Sequence, residues 1–176
     1  MDIDYRKIEL LVLDVDGVLT NGEVGFTSGG QEIKTFHIRD GTGLRYWKRV
    51  GHKFALISGR KSACTGHWSA EYQPDAIHRG AHDKLPAYER TLAGLGFSDE
   101  QTAVMGDDLP DIPMMRRCAL AVAVSDAVPE VKKVAHIVAP FCGGAGAVRW
   151  LVETILTSTG KWDKVMERYA PRGETK

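Results

Sequence analysis

The 176 residues carry 23 basic and 23 acidic side chains, so no net charge draws the chain toward nucleic acid or an anionic membrane surface. The length suits one domain burying roughly 70% of the unfolded chain's surface, and no apolar run approaches the ~20 residues that cross a bilayer. The start, with Asp2, Asp4 and Glu9, does not resemble a signal peptide, which makes the cytoplasm the expected location.

In chain order, Leu10–Leu13 is a short aliphatic run bounded by charge and then glycine, the pattern of a buried strand in a parallel sheet. Asp14 and Asp16 stand at its carboxyl end, where open α/β sheets place their ligands. With period-two alternation the two acids project one way while Val15 packs beneath, and two unpaired carboxylates there call for a divalent cation. A lone D-x-D is equally well a capped turn, since Asp is favoured in turns on local grounds. Residues 23–38 read as a β-hairpin around Ser28-Gly29-Gly30 with an apolar face of Val24, Phe26, Ile33, Phe36 and Ile38. Arg39-Asp40-Gly41-Thr42-Gly43 follows, and Leu44, Trp47, Lys48 and Val50 continue at helical spacing to Gly51, a C-terminal stop.

Phe54–Ile57 is a second buried strand, ending at Ser58-Gly59-Arg60, with a helix over Lys61–Ala70. Ala76-Ile77 is a short strand, and Asp83-Lys84-Leu85-Pro86 opens a helix that Gly94 and Gly96 close. Thr102–Met105 is the next buried strand, with Asp107, Asp108 and Asp111 in the loop beyond it. A helix over Ile112–Arg117, a strand over Ala119–Val124, a helix over Val128–Lys133 capped by Asp126, and a strand over His136–Val138 come next. A helix runs to about Thr157, and residues 160–176 form a polar tail with Trp162, Val165 and Met166 at helical spacing. Strands alternating with helices imply right-handed crossovers and a Rossmann-like three-layer α/β/α sandwich around a parallel sheet. Cys64, Cys118 and Cys142 show no C-x-x-C spacing and read as reduced thiols, and the histidines lack the paired spacing of a zinc site.

Asp14 and Asp16, then Ser58, then Lys84, then Asp107 and Asp108 follow successive strand ends, an order hard to reach by chance. Asp14-Val15-Asp16-Gly17-Val18-Leu19-Thr20 and this order resemble the motifs of haloacid dehalogenase-like phosphatases along nearly the whole chain. The resemblance implies that Asp14 is the nucleophile attacking phosphorus and Asp16 the general acid, then base. It implies Mg2+ held by Asp14, the backbone carbonyl of Asp16, Asp107 and the substrate phosphate, with Asp108 and Asp111 holding its waters or Lys84. Ser58 would bond a phosphoryl oxygen, and Lys84 would offset charge on the nucleophile and the transferring group.

Phe36-His37-Ile38-Arg39-Asp40-Gly41, Ser58-Gly59-Arg60-Lys61-Ser62 and Gly143–Arg149, with a hairpin in place of a cap domain, are similar to the tetrameric 3-deoxy-D-manno-octulosonate (KDO) 8-phosphate phosphatases. That similarity implies a sugar-acid phosphate substrate, a homotetramer assembled through the hairpins, and active sites covered by neighbouring subunits. His37, Ile38, Arg39, Asp40, Gly41, Arg45 and Arg60 are its implied substrate contacts. Arg60 also separates the chain from related nine-carbon keto-sugar acid phosphatases, which tend to have Glu there. Two positions depart from the pattern: Trp68, where a basic residue is common, and Trp150, where Glu is usual. An indole cannot pair a carboxylate as a guanidinium does. A receiver-like phosphoacceptor is the rival of another class, but it carries its acidic pair on the first strand and its acceptor Asp on a later one. A catalytically silent binding subunit is the third reading, and no essential group is missing here.

Overall fold

The computed structural model describes residues 3–170. Six parallel strands form one sheet in the order β5-β4-β1-β6-β7-β8: β1 Leu10–Leu13, β4 Lys53–Ser58, β5 Ala76–Arg79, β6 Thr102–Gly106, β7 Leu120–Ala123 and β8 Ile137–Val138. The central strand pairs with β4 on one side, Val12 opposite Ala55, and with β6 on the other, Val12 opposite Val104. Every side chain of β1 is fully buried, which is why it reads as an unbroken aliphatic run rather than an alternating one.

Among the described residues seven α-helices accompany the strands: α1 Ile38–Arg49, α2 Ala63–Tyr72, α3 Leu85–Leu95, α4 Ile112–Met115, α5 Pro129–Val134, α6 Ala147–Ser158 and α7 Trp162–Met166. α1 packs with α2 and α6, whereas α3 packs with α4 and α4 with α5. Right-handed crossovers from β1 outward to β5, and then from β6 outward to β8, place these two groups on opposite faces, the expected three-layer α/β sandwich. The strand order reverses at β1, so the crevice beyond its carboxyl end is the fold's natural ligand position.

The hairpin differs from expectation. Its strands are only β2 Gly25–Phe26 and β3 Glu32–Ile33, with Gly25 opposite Ile33, and α1 begins at Ile38. Phe36 leaves the hairpin to stack on Trp68 of α2, centroids 5.6 Å apart, and so packs, half-buried, against the core of its own subunit. Gly41 and Gly43 lie inside α1 for a packing reason. A Cβ on Gly41 would overlap the Tyr72 ring, and one on Gly43 would press within 3.2 Å of the Arg149 backbone. Bare backbone there lets α2 and α6 approach closely, which offsets the low helix propensity of glycine.

Smaller boundaries also moved. α2 starts two residues later than expected because Ser62 caps it, accepting from Thr65 N, and it ends at Gln73 in the left-handed region. Asp126 does not cap α5; its carboxylate accepts from Gly143 N instead. The described part of the tail folds back on α1, with Tyr46 and Tyr169 hydroxyls 3.0 Å apart and Trp162 edge-on to Tyr46. Residues 171–176 of that tail lie outside the described residues.

Candidate active site

The end of β1 delivers Asp14, whose amide still joins the ladder to Met105 O of β6 while its side chain turns into the crevice. Lys84, the residue before α3, reaches across to it, Nζ lying 2.6 Å from Asp14 Oδ1 and 2.7 Å from Asp111 Oδ1. All three side chains are nearly inaccessible to solvent. Asp111 Oδ2 accepts the amides of Asp107 and Asp108, so one buried carboxylate both anchors the lysine and shapes the loop after β6. Asp108, expected with Asp111 to hold Lys84 or metal-bound water, does not reach Lys84: it is exposed at the rim of the cleft and its carboxylate accepts from Leu109 N at 2.8 Å. The difference follows from position, since Asp108 heads the turn that carries Asp111 inward.

Three carboxylates, Asp14, Asp107 and Asp111, offer oxygens within 4.8 Å of one another, against one lysine. Burial pushes the Asp107 carboxyl up to about 8, reinforced by the charges of Asp14 and Asp111. Burial and then Asp111 push Asp14 up to about 6 against the pull of Lys84. On Lys84 burial works against the charge, but the two aspartates outweigh it and hold the ammonium protonated. Asp107 Oδ1 is buried without a hydrogen-bond partner. Surplus negative charge and an orphaned carboxylate oxygen fit a hard divalent cation with oxygen ligands. Asp111 already uses both oxygens, which leaves Asp14 and Asp107 as the side chains able to hold one. Gly17 makes the approach possible: it has φ +107°, and a Cβ there would overlap the Asp107 carboxylate.

Asp16 points elsewhere. Its Oδ2 accepts from Ser58 Oγ at 3.1 Å, and its Oδ1 accepts from Lys34 Nζ of the hairpin. Ser58, fully buried at the end of β4, also accepts the Arg60 amide. One wall of the cleft therefore holds a charged nucleophile cluster, and the other holds a carboxylate beside a hydroxyl. Between them lies a cleft of about 180 Å³ lined by Asp14, Asp16, Arg60, His82, Lys84 and Asp107, among others.

A family model described as haloacid dehalogenase-like hydrolase matches residues 65–150, which include Lys84, Asp107 and Asp111. The 3-deoxy-D-manno-octulosonate 8-phosphate phosphatase of Escherichia coli K12 is 38% identical over 159 residues, 90% of this chain and 85% of its own length. The chain belongs to the 3-deoxy-D-manno-octulosonate 8-phosphate phosphatase family. Two solved structures of that family are similar to it over most of its length. The Yersinia pestis phosphatase superimposes with TM-score 0.88 at 38% identity, covering 90% of this chain and 86% of its own. The Moraxella catarrhalis phosphatase, solved in complex with magnesium, phosphate and KDO, gives 0.90 at 33% identity and covers 94% and 97%. Membership in this phosphatase family removes the receiver-like reading.

Of the seven substrate contacts that the family resemblance implied, only Arg60 lines the acidic cleft of its own chain. His37 and Arg39 border a separate hollow of about 450 Å³ with Phe141, Arg149 and Trp150. Ile38 is 74% exposed. Arg45 pairs with Glu71 at 2.9 Å and lies over the Tyr72 ring. Asp40 is corrected to a structural acid: it is buried and accepts the amides of Gly146 and Arg149, fastening the start of α6 to α1. Gly41 is likewise a packing position against Tyr72. Trp68, sandwiched between Phe36 and Tyr72, has no face free for a sugar acid. Sequence reasoning missed Lys34 and Glu32, which border the site from the hairpin. The available signal was their alternation about Ile33, which puts both charges on the face opposite that apolar side chain.

Proposed function

We propose that the protein hydrolyses 3-deoxy-D-manno-octulosonate 8-phosphate to the free sugar acid and inorganic phosphate, with Mg2+ as cofactor and a phospho-aspartyl intermediate on Asp14. The observation that carries this reading is Asp14 itself, a buried carboxylate at the sheet's switch point, gripped by Lys84 and facing a small open cleft. The complex of the Moraxella relative with magnesium, phosphate and KDO supports the choice of cofactor and substrate.

Asp14 and Asp107, with the Asp16 carbonyl, would hold the Mg2+, which supplies charge neutralisation and orients a phosphoryl oxygen. An Asp14 oxygen attacks phosphorus in line, the bond from phosphorus to the C8 oxygen breaks, and Asp16 gives that oxygen its proton. Water then attacks the phosphorus, Asp16 takes its proton, and the bond to Asp14 breaks to free phosphate. Lys84 offsets charge on Asp14 and the transferring group, and Ser58 donates to a phosphoryl oxygen.

The same reading makes the chain one catalytic domain, with the hairpin of residues 23–38 in place of a cap, working as a cytoplasmic homotetramer. Phe26, 66% exposed, and Ile33, 49%, on the short hairpin, with Ile38, 74%, at the start of α1, form an apolar set that nothing among the described residues covers. A neighbour seated there would also bring His37, Arg39 and Arg45 toward substrate across the subunit boundary. Among the described residues no helix is long and apolar enough to cross a membrane.

Phosphate release from a panel of sugar-acid phosphates, with and without a chelator, tests the proposal. KDO 8-phosphate should be the preferred substrate, activity should vanish with chelation, and Asp14→Asn should abolish turnover while the fold persists. Near wild-type turnover by Asp14→Asn would overturn the covalent route.

A further inference from the structure

Asp16 is fastened from a direction that the proposed reaction does not use. Lys34 follows β3 directly, its side chain is wholly buried, and its Nζ donates to Asp16 Oδ1. A buried ammonium needs a charged partner, and the aspartate that supplies it is the residue assigned the proton transfers. A second carboxylate, Glu32, stands 3.5 Å from the same Nζ and binds Arg60 Nη2 at 3.2 Å. The β3 backbone is itself tied down, since Cys64 Sγ of α2 donates to Glu32 O at 3.3 Å. These links matter to a hairpin whose strands are two residues each, too short to hold their place by ladder bonds alone.

We propose that Lys34 is a positioning residue that acts through Asp16, holding its carboxyl group on the Ser58 side of the cleft and out of the Asp14, Asp107 and Asp111 cluster. The inference rests on the phosphatase reading above and adds to it a role for the hairpin. Without Lys34, a single neutral hydrogen bond from Ser58 would locate Asp16, and the other cations at the cleft are Lys84, Arg60 and any bound metal. An acid drawn toward Lys84 or the metal faces the nucleophile rather than the leaving oxygen. Small misplacements of this kind are costly, because proton transfer requires the donor within hydrogen-bond reach of the departing atom. The residue that aims the acid is thus carried by the element whose apolar face is exposed, which links the state of the hairpin to proton delivery.

The dependence on leaving group separates this role from a structural one. An alkyl phosphate such as KDO 8-phosphate departs as an alkoxide that needs a proton, whereas p-nitrophenyl phosphate departs as a stable phenolate that does not. Lys34→Met should lower kcat on KDO 8-phosphate about 10- to 100-fold, part of the 10²- to 10⁴-fold that acid–base assistance supplies. KM should stay within about twofold, and the loss on p-nitrophenyl phosphate should be several-fold smaller. Lys34→Arg should recover most of kcat, and adding Lys34→Met to Asp16→Asn should cost nothing further. Equal losses on both substrates, a change confined to KM, or an additive loss in the double variant would overturn the proposal. Melting temperature and light scattering of each variant check the fold. Should Lys34→Met not fold, Lys34→Arg decides: near-parental kcat on the alkyl ester supports the proposal, and an equal loss on both esters refutes it. Asp14→Asn assayed alongside keeps the two readings apart, because residual turnover there would overturn the covalent mechanism whatever Lys34 does.

Discussion

Asp111→Asn is a nearly isosteric change with a calculable penalty. The carboxylate is fully buried and makes three bonds, one to Lys84 Nζ at 2.7 Å and two to the amides of Asp107 and Asp108 at 3.1 and 3.3 Å. An asparagine has one acceptor oxygen, so whichever way the amide turns, its NH2 faces donors. Losing a charge-assisted bond removes about 1.5–3 kcal/mol, and a buried donor left unpaired costs about 1–3 kcal/mol more. Relief of repulsion with Asp14 and Asp107 offsets part of this, which leaves about 2–4 kcal/mol. For a chain of this size each kcal/mol moves the melting temperature by roughly 2–4 °C, so a fall of about 5–15 °C is expected in calorimetry with chelator present. Turnover should drop about tenfold or more, because Lys84 keeps one anchor instead of two and the Asp107 loop loses its brace. A melting temperature within 2 °C of the parent, with full activity, would refute the view that Asp111 organises the cleft.

Three other expectations bear on separate parts of the molecule. The folded-state values of about 6 for Asp14 and about 8 for Asp107 exceed the ordinary 3.8, so the folded chain keeps protons that the unfolded chain has released. Stability of the chelated protein to urea should therefore fall as pH rises from about 4 to about 8, and saturating Mg2+ should flatten the slope; equal stability at pH 5 and 8 under chelation would show that these acids titrate normally. Gly17→Ala places a Cβ against the Asp107 carboxylate at φ +107°, so Mg2+ should be needed at much higher concentration for half-maximal activity, and unchanged metal dependence would contradict the close approach. Phe26→Asp, on the exposed hairpin face rather than at the inward-stacked Phe36, should lower the light-scattering mass from about four chains and reduce activity on KDO 8-phosphate; a parental mass and rate would exclude the hairpin as the assembly surface.

The sequence by itself determined the architecture and the chemistry, because both are written in local patterns. Unbroken aliphatic runs at Leu10–Leu13, Phe54–Ile57 and Thr102–Met105 are what strands buried on both faces require. The Asp, Ser and Lys residues following such runs fall at one edge of the sheet whatever the details of packing. The tertiary structure alone decided which charge meets which. Asp108 and Asp111 are equivalent to a sequence pattern, yet a single turn leaves one exposed at the rim of the cleft and sends the other beneath Lys84. Asp40 was a substrate contact by family resemblance, but its partners are amides more than a hundred residues away at the start of α6. Gly41 and Gly43 are poor helix formers by propensity yet lie inside α1, since the closeness of Tyr72 and Arg149 outweighs an intrinsic cost of about 1 kcal/mol each. Lys34 escaped notice for the same reason. A lysine on a short hairpin is ordinarily solvated, and only the fold of that hairpin over the end of β1 buries it against Asp16.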